Sequence, residues 1–142
     1  KKIPLTTTIS IGENVFCSYY NKNMRKEPSK EKLGERLSAT KKKELKKNIK
    51  AHDFSGNRYK IVWKKPSKEL AGGDAWGLCE DNKAPEKTIH VDPNLSEYDF
   101  LATCLDEAIH GCNFSISNEY VDSMSSSIAY FLWRIGFRIE KD

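Results

Sequence analysis

The chain has 142 residues, with 24 Lys and Arg against 20 Asp and Glu, four Cys and three His. That length suits one domain, or a small domain with an extension. The net charge of +4 divides unevenly: residues 1–50 hold 14 basic and 5 acidic groups (+9), residues 51–142 hold 10 and 15 (−5). A uniformly basic nucleic-acid binder is therefore excluded, because the part able to carry a fold is acidic. No stretch approaches the roughly 18 apolar residues of a membrane span, so no membrane partner is expected.

The opening residues, Lys1 to Thr8, contain no apolar run of the kind that marks a secretory signal. Cys17, Cys79, Cys104 and Cys112 form no CxxC pair. Sparse, unpaired cysteines read as reduced thiols in an intracellular protein. Along the chain, Thr6–Ile11 and Val15–Tyr20 read as a short strand pair around Gly12-Glu13-Asn14. Residues 21–50 are polar and lysine-rich, and end in Lys41-Lys42-Lys43-Glu44-Leu45-Lys46-Lys47. Leu33, Leu37, Leu45 and Ile49 are nearly all their large apolar side chains, so a helix there buries little. Residues 1–50 form a basic extension, and residues 22–50 are the candidate nucleic-acid contact, since lysine runs attract phosphate without reading sequence.

The character changes after residue 50, where a second unit, 51–142, begins. Arg58 to Lys64 alternates as a half-buried strand stopped by Pro66. Ala71 to Cys79 reads as a glycine-punctuated loop entering a short strand. Lys87 to Val91 reads as another strand, closed by Asp92-Pro93-Asn94. A helix follows, capped by Ser96 with Asp99 reaching back, striped by Phe100, Leu101, Cys104, Leu105, Ala108, Ile109 and Cys112, and ended by Gly111. A second opens at Ser117 or Asn118 and carries Val121, Met124, Ile128, Leu132 and Ile135 as its core stripe, with Gly136 after its end. Strands first and helices after argue an α+β fold.

The residues able to do chemistry are Asp106-Glu107-Ala108-Ile109-His110. Asp106 and His110 stand four apart and share a helix face, as two metal ligands do. Glu107 lies about 100° around the helix, where a carboxylate can take a proton from metal-bound water. This is the layout of HExxH with Asp for the first His. A third ligand is available from the second helix, as Asp122 or Glu119. His90 and His52 read as packing or surface residues. Trp63, Trp76 and Trp133 read as core or cleft walls.

The wider pattern resembles the small SprT-like, zincin-type metallopeptidases found in bacteriophages. The resemblance runs through Ile61-Val62-Trp63, Gly72-Gly73, Trp76-Gly77-Leu78-Cys79 and Ile89-His90-Val91-Asp92-Pro93. It continues through Asp106-Glu107-Ala108-Ile109-His110-Gly111-Cys112, Glu119-Tyr120-Val121-Asp122 and Leu132-Trp133-Arg134-Ile135-Gly136-Phe137-Arg138, and leaves residues 1–50 uncovered. It implies a zincin fold, a small twisted sheet over an active-site helix backed by a second helix. It also implies peptide hydrolysis at a single Zn²⁺, intracellularly and in the host cytoplasm for a viral protein. Carried over by position, His110 is a metal ligand, Glu107 the general base, and Asp122, or else Glu119, the third ligand. Gly72, Gly73 and Trp76 become the candidate substrate-binding positions, because zincins take peptides by strand addition.

Asp106 departs from the family's His. A carboxylate still binds Zn²⁺, but one imidazole with two carboxylates shifts preference toward harder ions such as Mn²⁺. Three outcomes stand: an active peptidase of altered metal preference, an inactive metal binder, or a metal-free relative. The competing class is a zincin-fold binding protein that holds a host protein or nucleic acid through the basic extension.

Overall fold

A computed structural model describes residues 27–140 of the chain. The strand pair expected within residues 6–20 lies outside the described residues. After a 3-10 turn at Lys30–Lys32 come helix α1 (Ala39–Asn48), strands β1 (Ala51–Phe54) and β2 (Asn57–Val62), and a one-turn helix α2 (Lys68–Ala71). Strands β3 (Gly77–Cys79) and β4 (Thr88–Val91) follow, then helices α3 (Glu97–Cys112) and α4 (Asn118–Arg134). The architecture is α+β: a small mixed four-stranded sheet in the order β1-β2-β4-β3, with helices packed on it. β2 runs parallel to β4, while β1 and β3 are antiparallel to their neighbours.

The β1–β2 hairpin adds a strand, Ala51–Phe54, ahead of the one that the alternation from Arg58 predicts. Its two-residue turn, Ser55-Gly56, has positive φ at both positions (51° and 88°), the conformation whose twist matches that of paired strands. α2 is a second addition. Ser67 caps it by accepting the Leu70 N–H at 3.2 Å, and Gly72 ends it in the left-handed region at φ 74°.

The core gathers Tyr59, Cys79, Ile89 and Val91 from the sheet, Leu95 from the turn after β4 and Phe100 from the start of α3. Burying large apolar side chains of this kind is worth roughly 1.5–3 kcal/mol each. Leu37 is buried in the same core, although it stands in the lysine-rich stretch. Leu33 packs on a second cluster of Tyr98, Ala129 and Trp133. By contrast α1 buries no residue, and Lys42 Nζ donates to Asn94 Oδ1 at 2.7 Å across to the turn after β4.

Two details of the helices differ from expectation. α3 continues through Gly111 to Cys112, because Gly111 lies inside the helix against Phe54, where an added Cβ would stand 3.1 Å from the ring. The stripe expected to bury α4 is only partly buried. Val121 is buried, but Ile128 and Ile135 are 42% and 55% exposed. α4 buries Val121, Ser125, Ser126, Ala129 and Trp133 instead. Ser125, Ser126 and Ala129 among these are small and let α4 lie close to α3, and size-weighted periodicity passes over them.

Candidate functional site

Ser96 starts α3. Its hydroxyl accepts the Asp99 N–H at 3.4 Å and donates to Asp99 Oδ2 at 2.9 Å, so the carboxylate reaches the cap's side chain rather than its backbone. From that start the helical period sets Phe100, Thr103, Glu107 and Gly111 on the buried side. Glu107 is 6% exposed. It packs against β3 at Gly77, where an added Cβ would stand 2.7 Å from Thr103 Cγ2 and 2.8 Å from Glu107 Oε2. Only glycine leaves room there, so Gly77 admits the Glu107 carboxyl to the strand.

β3 is an edge strand, paired with β4 alone. The Asp92 N–H donates to the Trp76 carbonyl at 2.8 Å, and the Glu80 N–H donates to the Thr88 carbonyl at 3.0 Å. With Leu78 opposite His90 between them, the antiparallel alternation turns the N–H and C=O of Gly77 and Cys79 to the open edge. Along this edge runs a groove of about 790 Å³, lined by Gly77, Leu78, Asp106, Glu107, His110 and Glu119 among others. A smaller cavity of about 280 Å³ adjoins it and holds Asp99, Asp106, Glu107, Asp122 and Ser125, with Trp76 as a wall. Asp106 and Glu107 line both.

One turn apart on α3, Asp106 Oδ2 and His110 Nε2 stand 3.9 Å apart. The Ser125 hydroxyl lies 3.0 Å from Asp106 Oδ1 and 3.2 Å from the Asp122 carbonyl, and its single proton serves one or the other. His110 Nδ1 is buried with no hydrogen-bond partner among the described residues. No hydrogen bond or ion pair holds the Glu107 carboxyl among the described residues either. Burial, reinforced by the negative charge of Asp106, pushes the Glu107 carboxyl up to about 8. Burial lowers His110 below the usual imidazole value, and Asp106 opposes that. Both shifts favour the uncharged form of each group.

These groups can be tested against a metal ion. Two donors bound to Zn²⁺ at ~2.0–2.1 Å in a tetrahedral arrangement lie roughly 3.3 Å apart. The Asp106–His110 separation of 3.9 Å is a small side-chain adjustment from that, and one imidazole with one carboxylate is a chemically suitable pair. Among the described residues no three His, Cys, Asp or Glu side chains are gathered as a metal-holding group. Asp122 shares the smaller cavity with Asp106, and Glu119 shares the groove with His110. The geometry thus presents a pair of donors with two carboxylates nearby. Burial pushes the Cys79 and Cys104 thiols up to about 12.

Of the other sequence candidates, Trp76 is 47% exposed and walls the smaller cavity. Gly72 and Gly73 form the exposed end of α2, while Ala71 and Ala75 on either side line the groove. His90 is half-buried in β4, and burial lowers its pKa. Gly77, Thr103 and Ser125 were not singled out from the sequence as site residues. The signal for Ser125 was present as a run of serines at the centre of an otherwise apolar helix. No family model matches the chain, and no curated protein and no solved structure shows significant similarity to it. Among the described residues no helix is long and apolar enough to cross a membrane.

Proposed function

We propose that the chain is a zincin-fold, SprT-like peptidase, in which Asp106, His110 and a carboxylate of α4 hold a metal ion and Glu107 transfers the proton. One observation carries the reading: a buried carboxyl without a hydrogen bond sits in the floor of a groove, beside an open strand edge and the Asp106–His110 pair. Perturbed groups of this kind concentrate at reactive centres. An α+β fold with α3 under the sheet edge and α4 behind it supports the same reading.

In this reading an extended peptide adds to β3 and meets the outward N–H and C=O groups of Gly77 and Cys79. That places a peptide bond over Glu107, which a cation held beside it would keep ionised, so that its carboxylate would take the proton from the attacking water and pass it to the leaving amine. When bound, the metal supplies an activated water and polarises the carbonyl. Asp122 is the third ligand beside Asp106, with Glu119 the other choice beside His110. Two carboxylates with one imidazole favour Mn²⁺ over the Zn²⁺ of the His-rich sites.

Titrating chelator-treated chain with Mn²⁺ and Zn²⁺ in a calorimeter tests this. One equivalent should bind to the wild type, be lost in Asp106→Ala and in His110→Ala, and persist in Glu107→Gln with peptide cleavage abolished. A wild-type chain that binds neither ion ends the proposal.

The exposed lysines of α1, Lys43, Lys46 and Lys47, favour a second reading, a zincin-fold binding protein that uses its basic extension. A chain that takes up no metal yet binds nucleic acid, with an affinity that falls steeply between two salt concentrations, would establish it.

A further inference from the structure

α4 carries two apolar stripes, and only one of them has a partner. Val121, Ser125, Ala129 and Trp133 are buried along one side. Tyr120, Met124, Ile128, Phe131 and Ile135 recur at helical spacing along another, turned roughly 120° away at 100° per residue. On this second stripe Tyr120 is 57%, Ile128 42%, Phe131 61% and Ile135 55% exposed, and Phe137, just past the helix end, is 58% exposed.

The polar surroundings say more. No Lys, Arg, Asp or Glu occurs between Asp122 and Arg134. α1 carries Lys41, Lys42, Lys43, Lys46 and Lys47 and buries none of them. An uncharged face set with large apolar residues has the composition of an interface core, not of a solvated helix. An aromatic side chain can bury roughly 150–250 Å², so the exposed parts of Tyr120, Phe131 and Phe137 amount to about 350 Å². With the two isoleucines the patch reaches about 500 Å² per copy, or about 1,000 Å² when two such patches meet, the minimum for a specific interface before its polar rim is counted.

We propose that this stripe joins two copies of the chain, with their α4 helices packed antiparallel about Ile128. The spacing is self-complementary, as a two-fold interface requires. Ile128 meets Ile128 of the second copy at the axis, Phe131 meets Met124, and Ile135 meets Tyr120. Ser127, beside Ile128, is small enough to let the two helices approach closely. The contact leaves the groove along β3 open, because the stripe faces away from the α3 side of α4. The interface stands independently of the peptidase reading.

Sedimentation velocity on the full chain, over about a hundredfold range of concentration, reads this directly. The wild type should pass from monomer to dimer, and Phe131→Glu and Ile128→Lys should each raise the dissociation constant at least ~10-fold. Melting curves at a concentration where the wild type is monomeric check that both variants fold. Ile128→Cys provides a readout without a charge. With Cys17 and the exposed Cys112 replaced by Ser, it should form a disulfide-linked dimer under mild oxidation, while Lys46→Cys in the same background should not. A wild type that is monomeric throughout, whatever else covers the stripe, overturns the proposal. A dimer left intact by both charge substitutions overturns it as well.

Discussion

Glu107→Gln keeps the shape of the side chain and removes its ability to ionise, so it isolates what the buried carboxyl does to the fold. Burial and the neighbouring Asp106 move the group from its ordinary 4.5 to about 8. At about 1.4 kcal/mol per unit of pKa, the difference between folded and unfolded chain amounts to ~3–5 kcal/mol. The sign follows from proton binding. Between pH 4.5 and about 8 the folded chain keeps a proton that the unfolded chain has released. The contribution of Glu107 is therefore complete below its unfolded pKa and is lost as pH rises through the folded one. His90 and His110, both lowered by burial, act in the opposite sense below the ordinary imidazole value. They are present in both proteins and cancel in the difference. Urea unfolding of chelator-treated wild type and Glu107→Gln, from about pH 4.5 to about pH 9, provides the assay. The two should be close at the acid end, and the variant should become the more stable by ~3–5 kcal/mol at the alkaline end. That is a large fraction of the ~5–15 kcal/mol of a typical domain. Parallel curves for the two proteins would refute the reasoning, and with it the claim that this carboxyl is desolvated. A gain in stability on removing a site residue is the usual mark of a group retained for function rather than for folding.

Two further substitutions probe how the site is built. Gly77→Ala drives a methyl into Thr103 and Glu107, and should cost ~1–3 kcal/mol in urea unfolding while weakening any ligand held in the groove. Ser96→Ala removes the cap of the helix that carries Asp106, Glu107 and His110, and should lower stability by about 1 kcal/mol with little change in m-value.

The parts of the fold legible in the sequence are those governed by local chemistry. Ser96 and Ser117 announce their helices because a serine hydroxyl accepts an otherwise orphaned N–H, at Asp99 and Tyr120 respectively. Gly136, at φ 100°, marks the end of α4 for the equally local reason that a left-handed residue stops a helix. The β1–β2 hairpin was legible in principle, through Ser55-Gly56, but His52 and Asp53 are polar and exposed and give no apolar alternation to notice. Gly111 was misread because a glycine near a helix end has two meanings, a stop or a close approach. The ring of Phe54, from a distant strand, decides between them.

Charge divides the chain into a lysine-rich half and an acidic one, and the DExxH spacing sets Asp106 and His110 one turn apart. Both follow from the sequence alone, because composition and helical period need no knowledge of neighbours. Tertiary structure alone decided three other matters. Leu37 belongs to the acidic half's core despite its lysine-rich surroundings. Glu107 faces the sheet, where the absence of a side chain at Gly77 leaves it a place and burial raises its pKa. On α4, the small residues pack inward and a stripe of large apolar ones is left outside. Each depends on which surface arrives opposite a side chain. Periodicity within one segment specifies a face, but only the packing of segments decides which face is covered.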